Sequence, residues 1–85
     1  MLFKFKILQS ENDSKILGMF GDCIKIRLNS NFDIKNDFKI FIARELGTPV
    51  EMVNITDFIE DKNMVFAELP DLSYEILMSW VENKS

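Results

Sequence analysis

Eighty-five residues, 47% of them hydrophobic, suffice for one domain, although a chain this short buries only roughly 60–65% of its unfolded surface. Fourteen acidic residues against ten basic leave a net charge of −4, which sets bulk charge against non-specific nucleic-acid binding. Histidine is absent, so Ser-His-Asp and Cys-His catalysis, histidine-ligated zinc and histidine pH switching are all excluded within the chain.

The first segment, "MLFKFKILQSEN", has no apolar run of signal-peptide or membrane-span length, so a cytoplasmic location without membrane contact is expected. Within it "LFKFKIL" alternates: Phe3, Phe5 and Ile7 point one way, Lys4 and Lys6 the other, as in a half-buried strand. "SENDS" (10–14) collects residues whose side chains bond their own backbone and reads as a turn. A minor extended piece follows around Ile16–Phe20, broken by Gly18 and Gly21. The lone cysteine, Cys23, precludes an intrachain disulfide and fits a reducing compartment. "CIKIRLN" then alternates again, with Ile24, Ile26 and Leu28 inward and Lys25 and Arg27 outward.

From about Asp33 to Leu46 the period becomes helical, with Ile34, Phe38, Phe41, Ile42 and Leu46 on one stripe. Asp33 or Asn36 can cap its start; Gly47 ends it, and Pro49 follows where a helix cannot continue. "TPVE" predicts a one-turn helix with Thr48 as N-cap and Glu51 closing a capping box. It launches the strand "MVNIT", with Val53 and Ile55 inward. "DFIEDKN" (57–63) reads as a polar hairpin connection to the strand "MVFAEL" (64–69). Pro70 ends that strand, and the segment 71–84 predicts a last helix whose apolar face includes Leu72, Ile76, Leu77, Trp80 and Val81. The expected fold is a single α+β domain over 1–85: two layers in the order β-β-α-β-β-α, a four-stranded mixed sheet with two helices packed on one face.

"KILGMFGDCIKIRLN" is similar to the I-V-G-x-x-G-D-x-[hydrophobic]-K-V segment of the YggU-like small domains, matching at Gly18, Gly21, Asp22 and Lys25. "FKIFIARELGTPVEMVNI" resembles the same family's L-I-x-F-L-A-K-x-L-G-V-P-x-x-x-V-x-I segment, matching at Phe41, Ala43, Leu46, Gly47, Pro49, Val53 and Ile55. The resemblance covers nearly the whole chain, implies the strand order, and implies no activity, because that family has no established biochemical function. Its signature loop, P-P-x-x-G-K-A-N, is degenerate here. "SNFDIKN" takes its place and keeps only Lys35 and Asn36, while Lys62 alone holds a basic position of the later family turn. A competing resemblance to the β-grasp, ubiquitin-like fold shares the β-β-α-β-β order but leaves the last helix without a role, and the Gly-Gly tail needed for conjugation is missing.

Four kinds of site are worth weighing. Cys23 follows Asp22, and a neighbouring carboxylate opposes the thiolate, so a structural cysteine is expected. Asp57, Glu60 and Asp61 with Asn63 are oxygen ligands without the glycine-pivoted calcium spacing, which reads as a solvated acidic hairpin; no metal or cofactor is expected. Lys4, Lys6, Lys25 and Arg27 would share an open sheet face and could meet phosphates, with Phe20 as a stacking edge; solubilising an exposed sheet is the plainer role for such lysines. Phe20, Tyr74 and Met78 lie off the main stripes, either as peripheral core or as a contact patch for a partner or second copy. The expectation is a non-enzymatic accessory domain with a protein partner, as monomer or weak homodimer. Binding of RNA or an anionic ligand through the basic face is the alternative.

Overall fold

The computed structural model describes residues 1–30, 33–71, 75, 76, 78 and 79. Strands β1 (Leu2–Gln9), β2 (Lys15–Phe20) and β3 (Cys23–Leu28) precede helix α1 (Ile34–Leu46), and β4 (Asn54–Ile59) and β5 (Met64–Glu68) follow it. They form one five-stranded sheet in the order β2-β3-β1-β5-β4. β1 runs parallel to β3 and antiparallel to β5, so the sheet is mixed. No helix of the described residues is long and apolar enough to cross a membrane.

Among the described residues, the expected four strands with two helices on one face are therefore corrected to five strands, the one α-helix α1 and the two 3-10 turns Val50–Met52 and Glu60–Lys62. The predicted helix over 71–84 falls mainly outside the described residues. Of that segment Glu75, Ile76, Met78 and Ser79 have helical backbone, and Ile76 packs against the core.

The added strand, β2, is the minor extended piece expected around Ile16–Phe20, and a bulge explains why it does not read as a full strand. Ile16 pairs with Ile26 and Met19 with Ile24, so two residues three apart both face the core, and the register shifts between Ile16 and Gly18. An inserted residue breaks the period of two on which a strand is read. β4 repeats the device: Ile55 pairs with Ala67 and Phe58 with Val65, with the shift between Ile55 and Asp57. The strand expected to stop at Thr56 thus continues to Ile59, and the supposed polar connection shrinks to residues 60–63, with Asn63 left-handed at φ 50°.

Because β3 lies between β1 and β2, residues 10–14 must pass over the end of β3, a span of two strand spacings or about 10 Å. The turn is fastened there. The Ser10 N–H donates to the Leu28 carbonyl at 2.9 Å, and the Asn29 N–H donates to Ser14 Oγ at 2.9 Å.

Helix α1 follows the predicted stripe, burying Phe38, Phe41, Ile42 and Leu46, with Ala43 in addition. Asp33 caps it by accepting the Asn36 N–H at 3.2 Å, and Gly47 closes it with φ 66°. No capping box forms at Thr48. The following turn begins at Val50 behind Pro49, which has no side-chain cap, and Val53 is buried at its end. The core lies between α1 and one sheet face, centred on Phe5 in the middle strand. Phe5 is fully buried, and its ring meets Phe38 edge-on at 4.9 Å between centroids.

Candidate functional site: the open face of the sheet

Alternation in the strands sends one residue set into the core and the other to the opposite face, which α1 does not cover. The register places Lys4, Lys6 and Leu8 of β1 on that face, with Lys25 and Arg27 of β3 beside them. Phe20 and Cys23 are partners across β2 and β3, and Met64 and Phe66 of β5 stand opposite Lys6 and Lys4. The expected convergence of Lys4, Lys6, Lys25 and Arg27 on one face is what the register produces. Phe20 is 54% exposed and Leu8 42% exposed.

Each cation has a partner within the chain. Lys4 Nζ lies 3.0 Å from Asp22 Oδ2 and 5.9 Å from the Phe66 ring centroid. Arg27 Nη1 donates to both carboxylate oxygens of Asp13 at 3.1 Å. The Lys6 ammonium donates to the Lys62 carbonyl. Lys25 Nζ sits 4.4 Å from the centre of the Phe20 ring, a cation over the negative face of an aromatic. Hydrogen bonding from Lys4 and its charge hold the Asp22 carboxyl below the usual aspartate range.

Rim and centre therefore differ. Lys4 and Arg27 are neutralised by carboxylates carried on the turns, whereas Lys6 and Lys25 meet only a neutral carbonyl and a ring. These last two are direct cross-strand partners. Like charges placed opposite each other in a sheet are destabilising, and the two ammonium groups turn to different partners.

Cys23 is half-buried on the same face. Burial raises its thiol pKa and Asp22 adds to the effect, while Lys4, Lys6 and Lys25 pull the other way. The group is thus a poor nucleophile at neutral pH, where the thiolate does the chemistry. Alkylation by iodoacetamide at pH 7 should be slower than for a small free thiol and should climb as pH rises through the alkaline range. A neutral-pH rate at or above that of the free thiol would contradict this.

The remaining predicted residues do not join this face as a group. Lys35 and Asn36 sit in the first turn of α1, and with Asp33 and Lys39 they face 54–58 of β4 across an open cleft of about 590 Å³. Lys35 Nζ is 5.7 Å from the Phe58 ring there. Lys62 does not line that cleft, so the residues kept from the family loops are divided between two places. Met78 is half-buried, and Tyr74 lies outside the described residues. Asp57 spends a carboxylate oxygen on the Phe58 N–H at 2.9 Å, and no group of three or more metal-ligating side chains occurs among the described residues.

Sequence reasoning passed over Phe66, Met64 and Leu8. Each is legible from alternation alone, since Val65 and Ala67 inward force Met64 and Phe66 outward. No family model, curated protein or solved structure matches the chain.

Proposed function

We propose that this chain is a non-enzymatic protein-binding domain of the reducing cytoplasm, built on a YggU-like scaffold, whose contact surface is the open sheet face. The observation that carries the reading is the set of apolar side chains interspersed with the lysines of that face: Phe20 exposed at the β2 edge, Leu8 exposed on β1, and Met64 and Phe66 half-buried on β5. Aromatic residues on an accessible, rigid surface are what protein interfaces concentrate at their centres. The resemblance to a family lacking an assigned activity is compatible with this role, and Lys35 and Asn36, kept from its signature loop, line the cleft beside β4 instead.

The reading is tested by affinity capture from nuclease-treated lysate with the wild type and with Phe20→Glu. A partner retained by the wild type and lost with Phe20→Glu is expected. Retention by Phe20→Glu with loss on Met78→Glu would move the contact to the flank of the last helical segment. RNA binding is the second reading, and Lys25 over Phe20 is the observation in its favour. It calls for amide shifts on short mixed-sequence RNA that fade steeply with salt. The carboxylates of Asp13 and Asp22, already on the rim cations, work against a polyanion.

A further inference from the structure

β1 and β3 contain no acidic residue, yet they place Lys6 and Lys25 side by side in register. Among the described residues neither ammonium has a carboxylate partner: one is bound to the Lys62 carbonyl and the other lies over the Phe20 ring. Both side chains are half-buried, so their aliphatic stems lie along the apolar face while the charges reach its surface. On the β2 side the residue opposite Lys25 is Gly18, which contributes no side chain and leaves the Phe20 ring leaning over it. On the β5 side the residue opposite Lys6 is Met64. Among the described residues these two cations thus lack a carboxylate and stand between apolar walls, flanked by Lys4 and Arg27, which are paired with Asp22 and Asp13, while exposed Lys15 lies at the β2 edge opposite Arg27.

We propose that this face seats an acidic segment of a partner protein, with apolar residues on Phe20 and Met64 and a carboxylate held between Lys6 and Lys25. The inference rests on the protein-binding reading above and adds the chemistry of the partner. An incoming carboxylate relieves the cross-strand repulsion and replaces two weak partners with charge-assisted hydrogen bonds. The same arrangement discriminates against nucleic acid. A phosphate track wants a run of free cations, and here the flanking Lys4 and Arg27 carry their own carboxylates.

The experiment uses the full chain, labelled for amide NMR, and three probes: a short peptide alternating glutamate and leucine, the same peptide with glutamine for glutamate, and oligouridylate. The glutamate peptide should shift amides of β1 and β3 around Lys6 and Lys25. Its affinity should exceed that of the glutamine peptide by about tenfold or more at low salt, and the gap should narrow as salt screens the charges. Lys6→Gln with Lys25→Gln should abolish the difference while leaving any apolar binding. Equal binding of the two peptides on this face overturns the acidic partner and leaves the protein-binding reading standing. Shifts with oligouridylate and none with either peptide overturn both. Absence of glutamate-peptide binding overturns the inference, and because the peptides are compared on the wild-type chain, that result does not depend on whether a variant folds.

Discussion

Phe5→Ala should cost about 3–5 kcal/mol, the usual penalty for deleting a fully buried phenylalanine side chain. Phe5 occupies the middle strand, has no solvent exposure, and bridges sheet to helix through its edge-on contact with Phe38. Collapse into the resulting hole is hindered because Ile24 on β3 and Val65 on β5, its partners in register, are fixed by the sheet. At roughly 0.05–0.15 kcal/mol per residue, a domain of this length holds about 4–13 kcal/mol in total, so the loss is a large part of it. Urea unfolding followed by far-UV circular dichroism checks this. The midpoint should fall by more than 1 M, on typical slopes of about 1–3 kcal/mol per molar. A shift within the scatter of surface variants would mean that the interlayer contact through Phe5 is not the centre of the core.

What the sequence disclosed, and what it hid, follows from how each element keeps its period. β1, β3 and α1 were legible because their apolar residues recur without interruption, and Asp33 and Gly47 mark the ends of the helix with side chain and backbone chemistry. β2 read only as a minor extended piece and the second half of β4 as a polar connection, because each carries a bulge that puts two core-facing residues three apart. The capping box at Thr48 failed for another reason. Pro49 holds extended backbone at ψ 146°, which delays the turn by one residue and leaves Thr48 outside it. As for the site, alternation put Lys4, Lys6, Lys25 and Arg27 on the solvent side of their strands. It could not say that Lys6 stands opposite Lys25, since register between parallel strands is set by a connection passing over β3.

Gly18→Ala tests how far that surface depends on one backbone position. Gly18 has φ 145°, a conformation that side-chain-bearing residues rarely adopt, and it sits at the bulge that lets Ile16 and Met19 both reach the core. Space is not the obstacle. An added Cβ would meet the Phe20 ring at 3.6 Å, an ordinary contact. The cost comes from the backbone and should be about 1–3 kcal/mol. The cheapest response is to relax the bulge, which slips β2 by one residue against β3 and turns Met19 or Ile16 away from the core. Because β2 is an edge strand paired in the sheet with β3, the change should appear first as lost amide-exchange protection along β2, with β1 and β5 largely unaffected. Phe20 moves with the strand, so the ring that carries Lys25 leaves its place, and binding on the open face should weaken even where the variant remains folded. Unchanged protection in β2 together with unchanged stability would show that the bulge tolerates a side chain. The placement of Phe20 would then have to rest on its contact with Lys25 instead.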